Sequence, residues 1–258
     1  FLVPFFIDSL GVASYALIPL ATSLTGYVNL VVQSLNTSVS RYLTIDLQKR
    51  EFEKANITFN TAIFGTLGII LLMLPLIVLV SYYAPSFFEI PTSQENAARI
   101  LFLGVISSFL LRAWSSNFGV SLFAYNRLDL QNLINAVNVL VQVGLIILFF
   151  RFYSPSLVYI GLSHLIGAAV ASILTIFFSS KINPHLNVNI KDFRKSKVNE
   201  ITGMGGWVII NQIGSLLFLQ IDLIVVNKLF GTVAGGEYSV VLTWSMMLRT
   251  IAGMLVGV

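Results

Sequence analysis

The chain has 258 residues, of which 56% are hydrophobic and only 10% are charged, with a net charge of +4. Soluble domains carry about 25% charged residues, so this composition excludes an ordinary soluble globular protein. The sequence contains no cysteine, which excludes disulfides and thiolate metal sites within it. No basic patch is interleaved with aromatic residues outside the apolar segments, so nucleic acid is not an expected partner.

Long apolar segments follow one another along the chain and predict membrane-spanning helices, because a span needs about 20 apolar residues. The short apolar stretch 1–10 is interpreted as the end of a first helix whose start is missing. Longer segments follow, and the last of them reaches the end of the sequence without a stop signal, so we expect a fragment. The predicted spans are 16–39, 58–82, 100–123, 130–152, 157–178, 203–230 and 238–258.

Basic residues concentrate in alternate loops, which predicts the orientation, since positively charged loops stay in the cytoplasm. The basic loops follow the spans 16–39, 100–123 and 157–178. We therefore expect an all-α integral membrane protein. Its expected parts are an N-terminal six-helix lobe over residues 1–180, a cytoplasmic linker over 181–200 and the first two helices of a second lobe over 201–258.

The linker 181–200 is polar and basic, and it has two interpretations. The first is a solvated connection between two helical bundles. The second is an amphipathic segment that lies on anionic lipid headgroups. The sequence leaves both open.

Three charged residues lie deep within predicted spans: Arg112, Asp222 and Arg249. A charge at the bilayer centre costs about 2.5–3.5 kcal/mol even on insertion-based scales, so such residues are seldom left facing lipid. We predict that the two arginines line a water-filled path or a binding cavity. Asp222 is the candidate for coupling to a proton or sodium ion, and a structural pair between Asp222 and Arg112 is the alternative.

Side-chain amides recur at helical spacing, which puts each set on one face of its helix. We expect them to line a hydrated lumen, and the alternative is that they join helices, at about 0.6 kcal/mol each. No metal site is expected, since His164 has no second ligand at metal spacing. The predicted lumen residues are Asn29, Gln33, Asn36, Asn135, Asn138, Gln142, Asn211 and Ser215.

Elements spread along nearly the whole chain resemble the polysaccharide flippases, of the O-antigen and teichoic-acid type, in the multidrug/oligosaccharidyl-lipid/polysaccharide exporter superfamily. None of the elements is a catalytic signature. They are Leu10-Gly11 with Tyr15, the stretch Asn36-Thr-Ser-Val-Ser-Arg41-Tyr-Leu, Phe123-Ala-Tyr-Asn-Arg127, Trp207 with Asn211 and Asp222 to Asn227, and Gly231 with Gly236-Glu-Tyr238.

The resemblance implies a transporter of 12–14 helices, in which two six-helix lobes flank a cavity. In that family the cargo is an undecaprenyl-diphosphate-linked oligosaccharide, which passes from the inner to the outer leaflet by alternating access. Arg112 and Arg249 would then bind the diphosphate, and the amides would bind the sugars.

The resemblance also implies the membrane, the energy source and the partners of the protein. It implies a multi-pass protein of the bacterial inner membrane that is not an enzyme and has no cofactor, with a proton or sodium gradient as the candidate energy source. The expected partners are lipid-linked oligosaccharide and membrane lipids. The expected state is a monomer that works near the polysaccharide polymerase machinery.

Other functions remain as alternatives. A multidrug or cation antiporter of the same superfamily needs buried carboxylates, whereas the deep charges here are two arginines and one aspartate, which favours an anionic cargo. A lipid II flippase would use the arginines in the same way. A membrane polysaccharide polymerase or glycosyltransferase would carry catalytic groups in a large outward loop, and the outward stretch 84–99 has only Glu89 and Glu95 as acids.

Overall fold

The structure is a computed structural model that describes residues 3–87, 90, 92 and 94–214, several α2 side chains excepted, and the isolated later residues 225, 244, 245, 248, 249 and 252. The chain forms two compact units, Phe1–Gly206 and Trp207–Val258. The first unit contains α1 (Val3–Leu10), α2 (Val12–Gln48), α3 (Phe52–Phe87), α4 (Glu95–Ala124), α5 (Leu128–Phe152) and α6 (Leu157–Ile182). A short 3-10 helix covers Ile190–Asp192, and residues 195–214 are helical.

The described residues form helices and no strand, and α3 to α6 are each long and apolar enough to cross a membrane. The predicted all-α membrane fold is therefore confirmed. The predicted spans 130–152 and 157–178 agree with α5 and α6 to within four residues, and each shares one end with its helix. Apolar runs locate these helices well, because the bilayer demands a minimum apolar length.

The helices α2 and α3 extend well beyond the predicted spans 16–39 and 58–82. They have 37 and 36 residues, and only Lys49–Glu51 separates them. Arg41 and Lys54, which we expected in a loop, lie instead on helical extensions. Apolar side chains pack these extensions together, so the helices continue beyond the apolar core of the membrane. The buried residues in this contact include Leu43, Leu47, Ala55, Phe59 and Ile63.

The pair α4 and α6 forms the centre of the first unit. At Gly104 and Gly161 the backbones touch, since a Cβ on Gly104 would lie 2.5 Å from the carbonyl oxygen of Gly161. Further along, Ser121 and Ser179 share a hydrogen bond of 2.7 Å between their hydroxyls. Small residues let membrane helices approach closely, and hydroxyl pairs add specific contacts. The α4–α6 pair therefore provides a close-packed frame for the rest of the unit.

The outer faces of α3 and α5 are apolar and exposed. Leu72 of α3 is 82% exposed and Leu140 of α5 is 68% exposed. Large exposed apolar surfaces on membrane-spanning helices are covered by lipid, because their apolar side chains have no other solvent inside the bilayer. These faces are therefore suited to contact with acyl chains, whereas α4 and α6 bury more of their length inside the unit.

Gly11 makes the corner between α1 and α2. Its φ of 81° and ψ of 159° belong to a backbone region that is essentially restricted to glycine. The chain stays hydrogen-bonded through the corner, since the Gly11 N–H donates to the Ile7 carbonyl and the Gly11 carbonyl accepts from the Tyr15 N–H. The backbone conformation at this corner thus explains why a glycine stands in the Leu10-Gly11…Tyr15 element.

The segment that follows α6 does not run freely through solvent but is bound to the start of α3. The Asn56 amide donates to the His185 carbonyl and accepts from the Asn187 N–H, both at 2.8 Å. The Asn60 amide donates to the Asn187 carbonyl at 2.8 Å and accepts from the Asn189 N–H at 2.7 Å. We call the two asparagines, with residues 185–189, the amide clamp.

The spacing of the amide clamp follows from the geometry of its two parts. Asn56 and Asn60 are four residues apart, which corresponds to about 6 Å along a helix. Two residues of extended chain span about 6.6 Å, which is nearly the same distance. Asn60 therefore contacts residues that lie two positions further along the segment than those that Asn56 contacts. In a sheet, the backbone N–H and C=O groups of an extended segment would bond to a neighbouring strand. Here the asparagine amides provide these hydrogen bonds instead. The linker is held to the first unit by this match.

Candidate functional site

A polar cleft opens between α4, α5 and α6 around Arg112. Its volume is about 170 Å³. Arginine, hydroxyl and amide groups form much of its wall, together with a few apolar side chains. We call it the Arg112 cleft, and its lining residues are Arg112, Ser115, Ser116, Gly119, Leu122, Gln131, Ile134, Asn135 and Thr175.

Arg112 lies in the middle of the 30-residue α4, far from both ends of the helix. Its Nη2 donates to Oδ1 of Asn135 on α5 at 2.7 Å. Within the part of the chain that the structure describes, no carboxylate forms an ion pair with Arg112. A guanidinium has five N–H donors in a planar fork. The hydrogen bond to Asn135 therefore orients the guanidinium while leaving donors for an anionic ligand.

Two hydrogen bonds shape the cleft beside Arg112. The Gln131 Nε2 donates to the Gly119 carbonyl at 2.8 Å, which joins α5 to α4. The Ser172 hydroxyl donates to the Ser115 hydroxyl at 2.9 Å, which joins α6 to α4. A Cβ at Gly119 would meet Thr175 and Gln131 only at 3.7 and 3.8 Å. The glycine is therefore a site where the cleft has room.

The predicted polar residue Asn36 of α2 approaches α4 from another side. Its Nδ2 donates to the hydroxyl of Ser116 at 2.8 Å. Because Ser116 lines the Arg112 cleft, Asn36 contacts the cleft through one intervening side chain. The same hydrogen bond joins α2 to α4. Asn36 therefore fits both interpretations of the amides, as a residue beside the polar cleft and as a link between helices.

The other two predicted amides of α5 lie further along the helix. The Gln142 Nε2 donates to Oδ1 of Asn138 at 3.1 Å. Both side chains face Gly167 of α6, where an added Cβ would lie 2.5 Å from Cγ of Gln142. The two amides therefore pack between α5 and α6 and are not lining residues of the Arg112 cleft.

The remaining predicted site residues are spread over both units. Asn211 and Arg249 belong to the second unit, and both side chains are exposed there. The side chains of Asn29 and Gln33 lie outside the described residues. The same holds for Ser215 and Asp222, so the alternative pairing of Arg112 with Asp222 stays a prediction. The structure thus brings Arg112 and Asn135 together, with Asn36 next to them.

Several lining residues were not among the predicted site residues. Gln131 carries a signal in the sequence, because it lies four residues before Asn135 on the same face of α5. Ser116 and Thr175 carry no such signal. Single hydroxyl residues are common in membrane helices, and their place in the cleft depends on how α4 and α6 pack.

The Arg112 cleft has the chemistry of an anion site. A fixed guanidinium binds phosphate or carboxylate oxygens through charge-assisted hydrogen bonds. Serine, threonine and amide groups beside it can donate or accept hydrogen bonds without adding charge. A cleft of about 170 Å³ offers room for a group of the size of a diphosphate or one sugar ring. Within the described residues no group of acids, histidines and cysteines could hold a metal ion.

Comparison with known protein families matches residues 2–258 to the family described as "Polysaccharide biosynthesis protein". The chain is also similar to the uncharacterized membrane protein EpsK of Bacillus subtilis (strain 168), with 31% identity over 254 residues. This alignment covers 98% of the chain and 50% of EpsK, so the chain spans about half the length of the curated relative that it matches. No solved structure matches the chain significantly.

Proposed function

The chain belongs to the polysaccharide biosynthesis protein family of membrane proteins, and from that premise we propose that it is part of a flippase for a lipid-linked oligosaccharide. The cargo of the proposed reaction is an undecaprenyl-diphosphate-linked oligosaccharide, which moves from the inner to the outer leaflet by alternating access. The membrane would be the bacterial inner membrane. The product serves the export of cell-surface polysaccharide.

The observation that carries the proposal is the Arg112 cleft. An arginine in the middle of a membrane-spanning helix is costly, so it is retained where it has a ligand or a partner. Among the described residues Arg112 has an amide partner in Asn135 and no ion-paired carboxylate. This arrangement favours an anionic group such as the diphosphate of the carrier lipid.

The neighbouring polar groups supply the rest of the proposed binding mode. Sugar hydroxyls both donate and accept hydrogen bonds, which suits Gln131, Asn135 and the serine hydroxyls of the cleft. The cleft volume supports binding of the diphosphate end of the cargo. The longer part of the oligosaccharide would extend from the cleft into the aqueous path.

Two residues of the later part of the chain have further proposed roles. We propose that Arg249 provides a second guanidinium for the diphosphate and that Asp222 couples transport to a proton or sodium gradient. The inside-negative membrane potential also favours outward movement of the cargo, at about 2.3 kcal/mol per charge per 100 mV. The protein would act without a cofactor and without covalent chemistry, near the polysaccharide polymerase machinery.

Complementation of a flippase-deficient strain tests the proposal in the full-length protein. Arg112→Ala should abolish most surface polysaccharide at a normal protein level, because the diphosphate loses its charged partner. Arg112→Lys should restore only part of the activity, since an ammonium lacks the bidentate fork. Arg151→Ala is the matched control, because this exposed arginine lies in the last turn of α5. Full activity of Arg112→Ala would exclude the proposed role.

The same strain set separates the proposed cargo from lipid II. Rescue of a strain that lacks the lipid II flippase, together with failure to restore surface polysaccharide, would assign lipid II as the cargo. Rescue of surface polysaccharide alone supports the oligosaccharide carrier. Drug resistance without either rescue would favour the multidrug antiporter.

A further inference from the structure

The segment after α6 combines exposed apolar side chains with exposed basic ones. Val188 and Ile190 are 57% and 60% exposed, on either side of Asn189 in the amide clamp. Lys191 and Lys195 are also exposed. Among the described residues neither lysine forms an ion pair with a carboxylate. We call residues 188–195 the basic–apolar strip.

The height of the strip relative to the bilayer can be measured along α3. Tyr82 and Tyr83 contact each other near the outward end of this helix, and Arg99 lies 4.6 Å over the ring of Tyr82. Aromatic and basic side chains of this kind mark the membrane–water interface. A hydrocarbon core of about 30 Å corresponds to about 20 helical residues, so the cytoplasmic boundary falls near Ala62.

The contacts of the strip with α3 place it at this boundary. The Asn189 N–H donates to Asn60, and the Arg194 N–H donates to the Thr61 hydroxyl at 3.1 Å. Asn60 and Thr61 lie within about two residues, or roughly 3 Å, of Ala62 along the helix. The clamped segment therefore turns back from the end of α6 toward the membrane, and its exposed apolar side chains reach headgroup level.

We propose that the basic–apolar strip binds the acidic phospholipids of the cytoplasmic leaflet. Val188 and Ile190 enter the headgroup–acyl boundary, while Lys191 and Lys195 contact lipid phosphates. Exposed apolar residues with neighbouring basic ones are the features that bind a segment to an anionic membrane surface. A fully solvated linker gives no reason for these two apolar side chains to be exposed together at this height. The inference does not depend on the identity of the cargo.

The absence of cysteine from the sequence makes a direct depth measurement practical. A nitroxide on Ile190→Cys is compared with one on Lys49→Cys in the full-length protein, with any further cysteine replaced. The protein is reconstituted in vesicles of phosphatidylcholine alone or mixed with phosphatidylglycerol. Collision with oxygen reports the bilayer and collision with a nickel chelate reports water. Lys49 is a suitable reference, since it follows α2 at the α2–α3 turn, about 15 Å or more from the boundary.

The proposal predicts that oxygen dominates at residue 190 in phosphatidylglycerol vesicles, and that nickel dominates at residue 49 in both lipids. Adding Lys191→Gln and Lys195→Gln should shift residue 190 toward water, with roughly a fivefold loss of membrane partition per lysine. The control pair Lys49→Gln and Arg50→Gln should leave it unchanged. Nickel-dominated collision at residue 190 in both lipids would overturn the proposal, as would an unchanged phosphatidylglycerol effect after removal of the two lysines.

Discussion

The Arg112 cleft and the amide clamp are both built from polar side chains on helices, yet they use them in opposite ways. In the clamp, each amide of Asn56 and Asn60 is bonded through both its oxygen and its nitrogen to the backbone of residues 185–189. In the cleft, Arg112 makes one hydrogen bond to Asn135 within the described residues and keeps further donors. The saturated amides of the clamp hold the linker to α3, while the remaining donors of Arg112 are available to a ligand.

The largest expected effect separates function from stability at Arg112. Arg112→Ala should lower transport in proteoliposomes about 100-fold, or about 2.7 kcal/mol, which corresponds to the loss of one strong charge-assisted hydrogen bond to the cargo. Thermal stability should stay close to that of the wild type, because the residue is half-buried and makes a single described hydrogen bond. Transport rate and thermal unfolding are measured on the same preparation. A large fall in stability with unchanged transport per folded molecule would show that Arg112 stabilises the fold and does not bind the cargo.

Asn60→Ala should have the opposite profile. Asn60 is fully buried, and its removal leaves the Asn187 carbonyl and the Asn189 N–H without partners. The expected loss is about 2 kcal/mol in the free energy of unfolding, with little change in transport per folded molecule. Asn56→Ala is the matched control and should cost about half as much, since its hydrogen bonds are exposed to water. Equal losses of unfolding free energy in the two variants would mean that burial of the hydrogen bonds does not determine the size of the loss.

Asn135→Ala tests whether the hydrogen bond from Arg112 to Asn135 matters for cargo binding. Asn135 orients the guanidinium of Arg112, so its loss should weaken cargo affinity about tenfold and leave the maximal rate nearly unchanged. Asn138→Ala serves as the control, because Asn138 bonds to Gln142 and does not line the cleft. Concentration-dependent transport measurements give both parameters. An equal loss of affinity in the two variants would show that the cleft is not the binding site.

The smallest expected effects come from two glycines. Gly167→Ala should destabilise the protein by about 1 kcal/mol, since its Cβ would overlap Gln142 and crowd the Asn138 carbonyl. Gly119→Ala should leave stability unchanged, because its Cβ would meet its neighbours at ordinary distances. It should, however, lower cargo affinity by narrowing the cleft. Thermal unfolding of both variants and transport by Gly119→Ala check these expectations.

Much of the helical framework could be predicted from the sequence, because the bilayer imposes a length on each apolar run. The extensions of α2 and α3 beyond the bilayer could not be predicted in this way. They are stabilised by packing between residues such as Leu43 and Phe59, and polar residues such as Arg41 and Lys54 make the same stretch resemble a loop.

The candidate site was predictable only in part. The burial cost of Arg112 and the spacing of amides on α5 are properties of single helices, and both are visible in the sequence. The pairing of Arg112 with Asn135 depends instead on how α4 and α5 pack. The amide clamp joins residues that are far apart in the chain, and neither asparagine stands out from other polar residues near a helix start.

The most direct test of the central claim is the affinity of the purified full-length protein for undecaprenyl diphosphate in detergent solution. We expect Arg112→Ala to weaken this binding about 100-fold, while Arg151→Ala and Asn60→Ala bind like the wild type once their folded fraction is matched. If Arg112→Ala binds the carrier lipid as tightly as the wild type does, the Arg112 cleft is a structural feature and the diphosphate binds elsewhere.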